Sequence, residues 1–363
     1  MTAGPLLGIP LHWLGGLASG SFYVPFRGVR RWSWEIYWLL AGIFSWLLCP
    51  WIFATLLTRS LPTVIAAQPA GTLLWTYVFG LLWGFGGLTY GLTMRYLGLS
   101  LGTGVALGCC AVFGTLMPPI AKLLDPGIPV PESILEIAAS AAGRITLAGV
   151  ALCVLGIAVV ALGGVRKNRE LPADQKQRAI AEFNLVKGLS MAVFCGVMSA
   201  CFAFALTAAS PIAATSLRAG TDPLWSGLPK LVVLLWGGFT TNLVWCAILI
   251  RRNRSGAQYF RIPGGGALLA NYLLSAIAGI TWYLQFFFYT MGETRMGRYG
   301  FASWSVHMAS IIVFATLWGW VFREWQGSSR KVYVFVVAGM SLLLFSTLVI
   351  GAGAYFKAQG GGP

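Results

Sequence analysis

Trp282, Gln285, Phe286 and Tyr289 stand at i, i+3, i+4 and i+7, so on a helix they share one face. The glutamine amide brings two donors and an acceptor, and leaving them unpaired among apolar neighbours is costly. Flat rings beside such an amide suit a sugar, which has apolar C–H faces to cover and hydroxyls to bond. The same four residues also suit an aromatic belt at a membrane surface combined with helix packing. A matching face earlier in the chain reads Trp83, Gly86, Gly87 and Tyr90. Its glycines leave room for a neighbouring helix or for a ligand.

Proton chemistry has fewer candidates. Trp304, His307 and Met308 form a third face, and His307 lies about six residues into its apolar block, ~9 Å deep at ~1.5 Å per residue. Gln285 falls at a similar depth on the preceding helix. An imidazole titrates near neutral pH, and an ionisable group inside a membrane is a functional candidate. A neutral ring bonded to a backbone carbonyl is the alternative. All ten Asp and Glu fall at the ends of apolar blocks or between them, so no buried carboxylate relay is expected. Glu35 follows Arg27, Arg30 and Arg31 and reads as a gating ion pair, a proton carrier or a solvated cap. Asn242, beside Thr240 and Thr241, reads as a ligand donor or an interhelical hydrogen bond. The sequence contains no HExxH, no GxSxG, no P-loop and no clustered carboxylates, which argues against an enzyme. His12 and His307 are too few for most metal chemistry, and neither metal nor cofactor is expected.

Such faces must be held by helices in lipid. Of the 363 residues 57% are hydrophobic and 10% charged, against roughly a quarter charged in soluble domains, and the mean hydropathy is +0.76. The apolar residues fall in blocks of about 20 residues, each able to cross ~30 Å of hydrocarbon. The chain therefore reads as an all-α polytopic membrane protein of about ten spans, near 6–24, 36–57, 72–94, 98–120, 143–165, 186–207, 228–250, 267–290, 301–322 and 332–356. Met1 to Pro5 carry no Lys or Arg, so the first block reads as a span rather than a signal peptide. The net charge of +15 sits in short loops rather than on one folded surface, which argues against nucleic acid. One set of alternate loops holds 17 of the 25 Lys and Arg, and the positive-inside rule assigns that set to the cytoplasm, with both termini periplasmic. The seven cysteines lie in or at the ends of apolar blocks without a CxxC pair, so they imply neither zinc nor a disulfide framework.

The charged stretch 166–187 divides the chain into 1–165 and 188–363, with five spans each. An odd number of spans per half forces opposite orientations if the halves share a fold. Gly16-x-x-Ser19-x-x-Phe22 in span one matches Gly196-x-x-Ser199-x-x-Phe202 in span six. Trp83 and Tyr90 in span three match Trp282 and Tyr289 in span eight. The order is the same in both halves, which predicts two inverted five-helix repeats with a site at their interface.

Phe22-Tyr-Val-Pro-Phe26, Trp32-Ser-Trp-Glu35, Tyr90-Gly-Leu-Thr-Met-Arg-Tyr-Leu-Gly98, Gly114-Thr-Leu-Met117, Glu182-Phe-Asn184, Trp282-Tyr-Leu-Gln-Phe-Phe-Phe-Tyr289, His307-Met308 and Glu324-Trp325 resemble the bacterial L-rhamnose–proton symporters. These belong to the drug/metabolite transporter superfamily, and the similarity runs almost end to end. It implies ten spans in inverted halves, residence in the bacterial inner membrane and proton-coupled uptake of L-rhamnose or a close 6-deoxyhexose. The partners would be sugar, proton and lipid, with the proton gradient as driving force. Trp83, Tyr90, Asn242, Trp282, Gln285, Tyr289 and Trp304 are the expected sugar contacts, and His307 or Glu35 the proton carrier. The proline-rich stretch Asp125 to Glu136 and the stretch Met296 to Gly300 depart from the family pattern and bear on which sugar is taken. A transporter or exporter of another small metabolite, and a sugar sensor without flux, are the competing readings.

Overall fold

The computed structural model describes residues 4–97, 99–170, 185–262, 268–323 and 326–359. The Glu182-Phe-Asn184 and Glu324-Trp325 strings, with residues 171–184 of the charged stretch, lie outside them. Every regular element among the described residues is a helix. The long ones are α1 (Gly4–Ser21), α2 (Trp34–Leu57), α3 (Ala70–Leu97), α4 (Leu99–Ala121), α5 (Ala141–Glu170), α6 (Leu185–Ala208), α7 (Leu228–Asn253), α8 (Leu268–Arg295), α9 (Ser303–Val321) and α10 (Arg330–Gln359). Among the described residues, eight stretches are long and apolar enough to cross a membrane; they fall in α2, α3 and α5 to α10.

The packing is inside-out relative to a soluble protein. Leu56 and Leu348 are 74% and 65% exposed, whereas His12, Ser45, Asn242, Gln285 and His307 are all buried. Water would penalise such an apolar exterior, and a bilayer would penalise these polar groups anywhere but inside. The chain is a multi-pass membrane protein. Six of its seven cysteines are buried in this packing and Cys109 is half-buried.

Glycine sets the closeness of approach at two corresponding places. A Cβ on Gly80 of α3 would collide with the Leu234 carbonyl of α7, and one on Gly279 of α8 with the Ala41 carbonyl of α2. Gly86, expected to leave room for a helix or a ligand, faces Ser199 of α6, while Gly87 has nothing among the described residues within 4 Å of where a Cβ would lie. Gly80→Val should therefore destabilise the protein by about 1–3 kcal/mol through overpacking. Gly87→Ala serves as the neutral control; equal thermal stability of the two variants in detergent would contradict this packing.

Helix α2 contains one wide turn. Pro50 lacks the N–H that would bond the Trp46 carbonyl, and the chain widens to a π-turn over Ile43–Leu48. The Trp46 ring lies so close to Gly42 that a Cβ there would be 2.7 Å from it. At the other helices ring contacts recur in pairs. Phe22, just beyond α1, meets Trp282 of α8 with centroids 4.2 Å apart, and Phe202 of α6 meets Trp83 of α3 at 5.2 Å. Helix α1 lies along α8 and α9, and α6 lies along α3 and α4.

Candidate functional site

Two layers of aromatic rings fill the centre of the bundle, and Gln285 stands between them. In one layer Trp46 touches both Trp83 (6.1 Å between centroids) and Trp282 (5.2 Å), so the wide turn of α2 joins the two tryptophans expected from the sequence. Trp38 adds a contact to Trp282 at 5.0 Å. Asn242 reaches this layer through Trp38, whose indole N–H donates to Asn242 Oδ1 at 3.0 Å. The Asn242 amide donates in turn to the Gly238 carbonyl at 2.9 Å. Of its two expected roles, the interhelical hydrogen bond is the one formed.

The second layer lies about two turns along α8. Tyr289 is ringed by His12 of α1 (5.1 Å), His307 of α9 (5.2 Å) and Trp304 (5.7 Å). Trp304 stacks on Phe202 at 5.5 Å, and its indole N–H donates to the Cys110 carbonyl at 3.0 Å. Phe202 also stacks on Phe286 at 4.7 Å, linking this layer to Trp83. Gln285 is only 5% exposed, and among the described residues its side-chain amide has no hydrogen-bond partner. The amide is not fully enclosed, so its donors and acceptor are free to bond a hydroxylated ligand.

Beyond Tyr289 and Trp304 a cavity of about 310 Å³ opens, lined also by Gly114, Pro118, Glu132, Lys230 and Glu293. Lys230 and Glu293 form an ion pair at 2.6 Å across its wall, with the lysine side chain buried. The proline-rich stretch that departs from the family pattern forms part of the rim through Pro129, Val130 and Pro131.

The far end of the bundle is laced by hydrogen bonds. Helix α7 runs from Lys230 at the cavity to Asn253, ~35 Å away at ~1.5 Å per residue. There Glu35 Oε1 accepts from Asn253 Nδ2 at 3.0 Å and from Ser255 Oγ at 2.7 Å. The Trp32 indole N–H donates to the Gln258 carbonyl at 2.8 Å, and Asn271 pairs with both backbone groups of Arg30. Glu35 is therefore neither the solvated cap nor the arginine partner that its position suggested. It is a buried carboxylate held, among the described residues, by an amide and a hydroxyl. Tyr90 and Tyr289, both expected to contact sugar, lie towards opposite ends, because α3 runs parallel to α7 and antiparallel to α8. Tyr90 lies near Tyr23, while Tyr289 lines the cavity.

These features lie in a chain whose residues 1–355 match the family model described as L-rhamnose-proton symport protein. The chain belongs to that family. It is similar to the L-rhamnose-proton symporter of Mannheimia succiniciproducens, with 38% identity covering 96% of this chain and 98% of the relative. Its similarity to that of Cronobacter sakazakii is also 38%, covering 96% and 97%. The relative from Salmonella paratyphi B is 36% identical over the same shares. Several residues of this candidate site are not evident from the sequence. His12 carried the same signal as His307, an imidazole within an apolar block, and was weighed only as a metal ligand. Trp38, Trp46 and Phe202 were three rings among many, and Lys230 and Glu293 are 63 residues apart, with no periodicity to link them.

Proposed function

We propose that this protein carries L-rhamnose into the bacterial cell across the inner membrane, together with a proton, by alternating access. What supports this reading is the Gln285 amide, unpartnered among the described residues and on the same face of α8 as Trp282 and the cavity-lining Tyr289. Trp83, Trp282 and Trp304 would cover sugar C–H faces, with Gln285 and Tyr289 reading hydroxyls. Asn242 would act through Trp38, and Tyr90 would serve the opposite opening. The curated names of the relatives supply the solute and the coupling ion.

Ten spans complete this reading, with α1 and α4 joining the eight, in inverted halves 1–165 and 188–363. The paired contacts Phe22–Trp282 with Phe202–Trp83, and Gly80 with Gly279, support that symmetry, which the drug/metabolite transporter superfamily shares by resemblance. The positive-inside count supports periplasmic termini. The cavity then faces the periplasm and the Glu35 network bolts the cytoplasmic end, an outward-open arrangement. Transport would break those hydrogen bonds, each worth about 1 kcal/mol net, while the cavity closes on the sugar.

The test is uptake of labelled L-rhamnose by proteoliposomes under an imposed inward proton gradient. Accumulation that collapses with a protonophore is expected; binding without accumulation would identify a sensor, and outward-only flux an exporter. His307, one ring behind the cavity wall, fits the proton role better than Glu35 at the bolted end. His307→Gln should lower the proton-to-sugar ratio, and an unchanged ratio would clear it of coupling.

A further inference from the structure

His12 is fully buried in α1, and among the described residues neither of its ring nitrogens has a hydrogen-bond partner; Nδ1 of His307 is likewise buried and unpartnered among them. The two rings face each other edge-on with centroids 6.2 Å apart. Three orphaned nitrogens in adjacent imidazoles are an expensive arrangement for a purely structural pair, since each costs about 1–3 kcal/mol. The bundle makes deliberate room for it. A Cβ on Gly292 of α8 would lie 2.8 Å from His12 Cε1, and one on Gly15 would lie 3.0 Å from His307 Cε1. Any side chain at either position would press a ring aside.

We infer that His12 and His307 together form the coupling site and share one proton between them, an inference that rests on the proton-coupled transport proposed above. Tyr289 touches both rings and lines the cavity, so the pair lies one ring behind water. The proton leaves hydronium in the cavity, adds to the lone pair of an unprotonated ring nitrogen, and returns to water on the other side later in the cycle. No heavy-atom bond changes and no co-reactant is needed. Two imidazoliums this close in an apolar interior repel strongly, so the pair holds one proton rather than two. Among the described residues the ionisable groups facing His12 are few. Helix α8 presents Tyr289 and, one turn on, Glu293, which is occupied by Lys230 of α7. Arg295 of α8 meets α1 near Gly8, one turn before His12. Helix α9 presents His307, and its Ser310 hydroxyl donates to the His12 carbonyl.

The experiment compares wild type with His12→Gln and His12→Asn in proteoliposomes. The readouts are L-rhamnose counterflow, gradient-driven accumulation and proton movement reported by a trapped pH dye. Each variant should keep counterflow within about threefold while accumulation falls at least ~10-fold and proton flux per sugar falls towards zero. Wild-type proton flux per sugar in either variant overturns the inference. Purified wild type supplies a readout independent of variant folding. Adding L-rhamnose in weak buffer between about pH 5 and 8, where imidazoles titrate, should change the number of bound protons. An unchanged count across that range also overturns it. If wild type shows no counterflow of L-rhamnose, the transport reading itself fails, a result distinct from either.

Discussion

Gln285→Ala is expected to reduce L-rhamnose uptake by ~10²-fold or more while the protein still inserts and purifies. The loss follows from geometry and chemistry together. A bound sugar hydroxyl would give or accept at least two hydrogen bonds with this amide, each worth about 1.5 kcal/mol once buried, and ~1.4 kcal/mol is a factor of ten. The amide is not fully enclosed, so its loss should change folded stability little, and a melting temperature within a few degrees of wild type is expected. Counterflow rate and thermal stability measured on one preparation separate the two effects. Normal uptake by the alanine variant would show that the amide does not read the solute.

The second large effect concerns the ion pair at the cavity wall. Glu293→Leu leaves the Lys230 ammonium buried without its carboxylate, and breaking such a pair costs about 3 kcal/mol. The neighbouring cavity keeps the expected value at the low end of the usual range, because water can reach the glutamate side, whose side chain is 25% exposed. Adding Lys230→Met should restore most of the lost stability, since a neutral apolar pair of similar volume is tolerated where a lone charge is not. A double-mutant cycle on melting temperature reads this directly. Additive losses would mean that the two side chains do not depend on each other.

Much of the fold was legible because lipid imposes a single strong rule. Twenty or so apolar residues must run together wherever the chain crosses, so α9, expected over 301–322, is found at Ser303–Val321. Same-helix faces were legible for the same reason that helices were: fixed periodicity put Trp282, Gln285 and Phe286 side by side. Periodicity says nothing about which residue of another helix lies opposite. The partners of Glu35 sit more than two hundred residues later, at Asn253 and Ser255, and its arginine neighbours in sequence misled. The wide turn that brings Trp46 between Trp83 and Trp282 lies one turn before Pro50, and no periodicity in the sequence foretold it. The separation of Tyr90 from Tyr289 follows once the tryptophans of two antiparallel helices meet on one ring, Trp46, since matching strings then point to opposite ends.

The concealment of the native thiols has a practical consequence. A membrane-impermeant maleimide should leave the unmodified chain essentially untouched in sealed vesicles. A single cysteine introduced at Ser329 or at Asp222 would then report the sidedness of its own loop, with no need for a cysteine-free background. Labelling of the first from inside and the second from outside would fix which face of the bundle looks into the cell.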